Sequence, residues 1–242
     1  YYFKSSGKAQ IGKGTNIKGQ TYLFDNEGRM QTGWVALTTS TSSNAKEYLE
    51  IGGEDSTAKL SDYTDVYFCG DEDDGHAKKN KWFKTWRPED FDDEDEDNDE
   101  FWYWIDKNGK VYIPAEAASG SNATGYKYKL EDATLAQKKV SGSYESFEIT
   151  KKKVNSKDYW FTSDGVMLSK FYLINDNMYY FGGSDDGSMK TGAQSVKDNA
   201  GDTYRFYFYT KDQNIDDYKS NNGKKLYKGA GVIGNQSNKL YY

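Results

Sequence analysis

Apolar positions in this chain come in short, regularly punctuated groups and never as long runs. Eight aromatic clusters recur: Tyr1-Tyr2-Phe3, Tyr22-Leu23-Phe24, Val66-Tyr67-Phe68, Trp102-Tyr103-Trp104, Tyr159-Trp160-Phe161, Tyr179-Tyr180-Phe181, Tyr207-Phe208-Tyr209 and Leu240-Tyr241-Tyr242. In an extended strand the first and third residues of each cluster point to one face and the middle residue to the other. Most clusters are followed closely by a glycine turn, as in Ser163-Asp164-Gly165 and Asp185-Asp186-Gly187. The pattern predicts β-hairpins: an aromatic strand, an Asp/Asn/Ser-Gly turn with Gly165 and Gly187 at positive φ, then a short strand carrying Met or Val. An isolated hairpin is marginal in water, so neighbouring hairpins must stack on it.

Measured between middle residues, the clusters lie 21, 44, 36, 57, 20, 28 and 33 apart. Self-similarity of this kind signals a repeat architecture. Spacings near 20 show the bare unit, and the longer ones hold insertions or degenerate copies. The pattern starts and stops inside a unit, as a piece of a longer array would. Residues 38–47 and 115–125 read as surface loops and 90–100 as an acidic loop. Residues 126–157 read as further strands, with a short helix near Ala133 to Lys139 as a weaker alternative. The expected fold class is all-β: an elongated solenoid-like array of stacked β-hairpin repeats with irregular insertions. Its expected divisions are repeats at 1–37, a divergent insertion-rich segment at 38–157, and repeats at 158–242.

Composition sharpens this picture. Hydrophobic residues make up only 36% of the 242 residues, yet aromatics reach 17%. Such a chain lacks the aliphatic mass for one large core but can bury ring faces between thin layers. The same aromatic content argues against wholesale disorder. A net charge of −6 without a sustained basic stripe speaks against nucleic acid as a partner. No run approaches 18 apolar residues, so membrane insertion is not expected. Cys69 is the single cysteine, which rules out an intrachain disulfide framework and reads as a small buried hydrophobe.

The segment Tyr22-Leu23-Phe24-Asp25-Asn26-Glu27-Gly28-Arg29-Met30-Gln31-Thr32-Gly33-Trp34 resembles the cell-wall-binding repeat family. That family includes choline-binding modules of Gram-positive surface proteins, glucan-binding repeats of glucosyltransferases and the repetitive regions of large clostridial toxins. Tyr179 to Ala193 matches nearly as well, with Ala193 in the tryptophan's place. The resemblance implies a hairpin solenoid that attaches a secreted or surface-bound bacterial protein to a wall polymer or polysaccharide. Choline-binding members cage the quaternary ammonium between rings, through cation–π attraction. The cage needs the tryptophan of Thr-Gly-Trp and an aromatic just before the triplet. Here Phe171, Ala193 and Trp86 are read at the tryptophan position, and Thr21, Asp158 and Met178 precede triplets, with Phe101 as the aromatic in that place before Trp102. Choline is therefore disfavoured as the ligand. Pyranose stacking on exposed rings remains, with Trp34, Trp82, Trp86, Trp102 and Trp104 as candidate platforms.

Other chemical signals are weak. The acidic run from Asp92 to Glu100 fails the twelve-residue calcium-loop spacing, and so does Asp212 to Asp216. His76 is the only histidine, so no two-histidine metal site is possible, and no metal or cofactor is expected. Glycosidase chemistry needs only two carboxylates, but hairpin stacks offer no deep pocket to raise one carboxyl pKa. The expected function is a non-catalytic wall- or glycan-binding module. The alternatives are a structural spacer without its own ligand, and a glycosidase-like domain within 38–157.

Overall fold

The computed structural model describes residues 1–39, 44–53, 56–89, 99–114, 122–131, 134–137, 139–140, 143–144, 146–174, 177–198, 200–213, 226–232, 234–236 and 239–241. For 122–148 and 234–241 the description is of the backbone. The described residues form two compact units, Tyr1–Glu116 with Ser163–Met167, and Ala117–Thr162 with Leu168–Tyr242. The first contains β1 (Gly12–Ile17), β2 (Gln20–Phe24), β3 (Trp34–Thr39), β4 (Lys46–Glu50), β5 (Val66–Phe68), β6 (Lys81–Thr85) and β7 (Phe101–Ile105). The second contains β8 (Asn122–Glu131), β9 (Thr134–Gln137), β10 (Lys139–Val140), β11 (Ser143–Tyr144), β12 (Ser146–Val154), β13 (Lys157–Thr162), β14 (Phe171–Ile174), β15 (Asn177–Tyr180), β16 (Gly192–Lys197), β17 (Thr203–Phe208), β18 (Gly234–Gln236) and β19 (Lys239–Tyr241). One 3-10 turn, Leu60–Asp62, is the sole helical element among the described residues. The all-β expectation holds.

Among the described residues every strand pairing is antiparallel. Small sheets β1-β2, β4-β3-β5 and β6-β7 make up the first unit. The second carries a larger sheet in the order β13-β12-β8-β14-β15, with β9 also on β8, beside the pairs β10-β11, β16-β17 and β18-β19. Aromatic clusters lie within β2, β5, β7 and β13, and reach into β15, β17 and β19; Phe3 makes a single bridge to Ala9.

The hairpins are not closed where the sequence suggested. Across the Asp25–Gly28 turn only Phe24 and Met30 bridge, whereas β2 ladders with the preceding strand β1, Gly12 opposite Phe24. Likewise β3 ladders with the distant β5, Trp34 opposite Phe68. The glycine turn is thus a corner between hairpins. Its geometry recurs. The Asp25 amide donates to Arg29 O (3.0 Å) and the Gly28 amide to Asp25 O (3.1 Å), while the Asp25 carboxylate accepts the Glu27 and Arg29 amides at 2.9 Å each. Asp106 repeats all four bonds with Lys110, Gly109 and Asn108, and Lys4 to Lys8 repeats the backbone pair. A carboxylate that caps two amides locally is the reason Asp opens these corners.

Corner glycines also sit against the preceding corner. A Cβ on Gly28 would lie 3.0 Å from Ala9 Cβ; on Gly75, 2.4 Å from Met30 Cε; on Gly165, 2.5 Å from Tyr112 O; and on Gly229, 2.6 Å from Met189 Sδ. Gly165 and Gly187 have φ of 79° and 68°, as expected.

Layers of rings hold the first unit together. Leu23, Val35, Tyr67, Cys69 and Ala77 pack between β1-β2 and β3-β5. Trp34, Phe68, Tyr103 and Ile105 pack between β3-β5 and β6-β7. Cys69 is fully buried, and burial pushes its thiol up to about 12. In the second unit Ile149, Tyr172, Tyr179, Phe181 and Tyr209 form the core, and burial pushes the Tyr179 hydroxyl up to about 12.

Several expectations need correction. Residues 38–47 are not a loop at their ends: Thr38 pairs with Glu47 and Thr39 with Lys46, because β-branched threonines extend β3; 40–43 lie outside the described residues. Residues 122–125 belong to β8, all paired with β12 and Gly125 also with Ile174 of β14, and 115–121 lie outside the description. The suggested helix near Ala133 is strand β9 at Thr134–Gln137, since pairing with β8 overrides a weak helical propensity. Of the acidic loop, 90–98 lie outside the described residues. The division at 37/38 falls inside β3, and that at 157/158 inside β13.

Asp25 gives a pH prediction. Burial alone would raise its pKa, but the Arg29 guanidinium and the Arg29 and Glu27 amides outweigh burial and hold it low. A depressed folded pKa contributes stability above the unfolded value, near 3.8, and that contribution is lost as pH falls through the folded value. The melting temperature should therefore drop below pH 4, and Asp25→Asn should flatten that drop while lowering stability at pH 7. A melting curve series from pH 7 to pH 2 checks both.

Candidate aromatic binding face

Hairpin β6-β7 positions the site. Its register sets Trp82 opposite Trp104, Phe83 opposite Tyr103 and Lys84 opposite Trp102. Period-two alternation therefore divides the hairpin. Phe83, Tyr103 and Ile105 face the buried layer against Trp34 and Phe68. Trp82, Trp102, Trp104 and Lys84 share the opposite face. Trp82 and Trp104 touch at 5.3 Å with planes inclined by 59°. Trp104 is 9% exposed, while Trp82 and Trp102 are half-buried. The Lys84 ammonium lies 3.8 Å from Glu100, so an ammonium and a carboxylate border the rings.

Three of the five candidate tryptophans thus come together. Trp34 does not join them and is corrected as an exposed platform: it is 2% exposed, and its indole N–H donates to Trp86 O at 2.9 Å. Its ring meets Phe68 and Tyr103 edge-on at 5.1 and 5.0 Å. Edge-to-face contacts of this kind fill a core. Trp86 is half-buried on the same layer, edge-on to Phe68 at 6.0 Å.

Register also identifies the equivalents of Trp34. Phe24, Cys69, Ile105 and Phe208 bridge Met30, Ala77, Val111 and Gly231 at their corners. Opposite the residue just before each stand Lys13, Trp34, Trp82 and Ala193. Trp82, not Trp86, takes the place of Trp34. In β12-β13 and β14-β15 the residues opposite Trp160 and Tyr180 are Lys151 and Phe171. Rings elsewhere already carry a cation of the chain: Lys13 Nζ lies 4.5 Å from the Tyr67 centroid, Lys81 Nζ 5.3 Å from Phe83, and the Arg87 guanidinium 4.3 Å from Phe101. Burial first, then the neighbouring Lys110 charge, lowers the Lys13 pKa.

Among carboxyls, Asp74 is held low, first by its bond from Lys78, against a smaller effect of burial. Glu50 is raised, first by burial and then by the charge of Glu72, against a hydrogen bond from Thr32. Among the described residues no group of three or more His, Cys, Asp or Glu side chains is arranged to hold a metal ion. No described helix is long and apolar enough to cross a membrane.

No family model and no curated protein matches the chain. Among solved structures it is similar to choline binding protein F from Streptococcus pneumoniae, at 19% identity over 97% of this chain and 90% of that one, TM-score 0.30. It is similar to CbpJ from Streptococcus pneumoniae TIGR4, at 15% identity over 99% and 94%, TM-score 0.29. It is also similar to the Cpl-1 endolysin complexed with a peptidoglycan analogue, at 16% identity over 72% and 40%, TM-score 0.23. At such scores the functional reading rests on this chain's own residues.

Proposed function

We propose that this chain is a non-catalytic module that holds an exported bacterial protein on a cell-wall polymer or polysaccharide. The observation that carries the reading is the gathering of Trp82, Trp102 and Trp104 on one face of β6-β7, beside the Lys84–Glu100 pair. A pyranose presents a C–H face that stacks on indole, and its hydroxyls accept from ammonium and donate to carboxylate. Resemblance of Tyr22 to Trp34 to the cell-wall-binding repeats points the same way.

Choline competes poorly in this reading. A cage needs several desolvated rings around one cation, whereas three of the five described ladder positions equivalent to Trp34 hold Lys13, Lys151 and Ala193. Trp82→Ala and Trp102→Ala are expected to weaken retention on cell-wall and glucan preparations by about tenfold each, the scale of one interfacial aromatic. Circular dichroism should stay unchanged, since both rings are half-buried. Full retention of the double variant would reject this face as the platform. If the unmodified chain is retained on no polymer, the spacer reading takes over.

A further inference from the structure

Two lysines converge on one carboxylate in the second unit. Asp158 Oδ2 faces the Lys228 ammonium at 3.3 Å and the Lys151 ammonium at 3.5 Å. The aspartate side chain is 10% exposed, whereas the two lysine side chains are 45% and 40% exposed. In the pairs Lys78–Asp74, Lys110–Asp65 and Lys190–Asp186, by contrast, a carboxylate takes one lysine. Register adds a third ammonium. Lys153 is the cross-strand partner of Asp158 and Lys151 that of Trp160, so period-two alternation puts both lysines on the face that carries Asp158. Lys153 is exposed.

The balance on this face is positive. A second carboxylate, Asp212, lies at Lys228, where its Oδ1 accepts the Lys228 amide at 2.9 Å. Three ammoniums thus meet two carboxylates, in a chain whose net charge is −6. An ammonium has three N–H donors, so one long contact to Asp158 leaves Lys151 and Lys228 with donors for another oxyanion. Both approach the same oxygen, which brings them close enough for one phosphate to reach both. Lys151 and Lys153 are two residues apart, about 7 Å along the strand, which suits successive phosphates joined through a three-carbon polyol. The ladder position that Trp34 and Trp82 fill with rings in the first unit holds Lys151 here. The run Lys151 to Lys153 is too short to read as a basic stripe in the sequence, and Lys228 joins it only through the fold.

We infer that Lys151, Lys153 and Lys228 form an anion subsite that takes the phosphodiester groups of a polyol-phosphate polymer. This inference rests on the polymer-binding reading above and deepens it, adding a charged polymer backbone to the sugar rings recognised by β6-β7.

The test is affinity electrophoresis of the full chain through gels containing poly(glycerol phosphate), with dextran and polygalacturonate gels beside it. Poly(glycerol phosphate) should retard the chain, and rising salt should weaken that retardation because exposed charges are screened. Lys151→Gln and Lys228→Gln should each weaken it about fivefold, the scale of one exposed ionic contact, and leave retardation by dextran unchanged. Asp158→Asn should strengthen it, because it removes the carboxylate that competes for both ammoniums. That sign separates binding from a structural role: weakening in all three variants would mean that the trio only holds the fold, and would overturn the inference. Wild-type retardation of both lysine variants would overturn it too, and equal retardation of the wild-type chain by polygalacturonate would overturn the choice of phosphate. A chain retarded by dextran but not by poly(glycerol phosphate) would sink the anion subsite alone. No retardation by any polymer would sink the parent reading with it.

Discussion

Replacing Trp34 by alanine is expected to cost about 3–5 kcal/mol of stability, the usual loss for a fully buried tryptophan. The ring is 2% exposed and touches Phe68 and Tyr103, so the truncation leaves a cavity between two hairpin layers. It also removes the donor that satisfies Trp86 O. A loss of that size rivals the whole stability of many domains. Guanidinium unfolding followed by tryptophan fluorescence measures it, with Trp82→Ala as the comparison. The half-buried Trp82 should cost far less. Equal losses for the two would show that the division of β6-β7 into a fully buried face and a less buried one is wrong.

Gly165→Val is expected to cost about 2–4 kcal/mol, combining a left-handed backbone that L side chains disfavour with overpacking. At φ 79° a β-branched residue is strained wherever it sits, and here its Cβ would lie 2.5 Å from Tyr112 O. A backbone carbonyl cannot swing aside as a methionine tip can. Gly19→Ala separates the two causes: its φ is 82°, but nothing lies within 4 Å of a Cβ there. That variant should show the conformational cost alone, about 1–2 kcal/mol. Thermal melts of both variants decide the matter. If Gly165→Val melts like Gly19→Ala, the contact with Tyr112 contributes nothing.

Local features were legible in the sequence. Period-two aromatics gave strands at Tyr22, Trp102 and Tyr159, and the Asp-Gly pairs marked corners, because both signals arise within a few residues of chain. Pairing was not legible. Trp34 meets Phe68, and β8 lies between β12 and β14, across gaps that no local pattern spans. Burial of the tryptophans failed for the same reason. Thr-Gly-Trp gives no sign that Tyr103, from a hairpin much later in the chain, will cover Trp34. Asp106 to Lys110 holds a full copy of the Asp25 corner, with Val111 as the return residue where Met30 stands, in keeping with the Met-or-Val pattern.

The contact between successive corners bears on how such a chain changes length over evolutionary time. At these contacts a corner needs from its predecessor a side chain or carbonyl that tolerates a bare Cα against it, as Ala9 does for Gly28 and Met30 for Gly75. That requirement is met by a single glycine in the newcomer. A duplicated unit that carries this glycine therefore meets its parent's corner without a clash at that point. Between corners the chain is free to lengthen, since β3 reaches β5 across a connection that includes β4 and the Leu60–Asp62 turn. Gene duplication and loop growth can thus act on this molecule independently, which accounts for cluster spacings as short as 20 and as long as 57 in one chain.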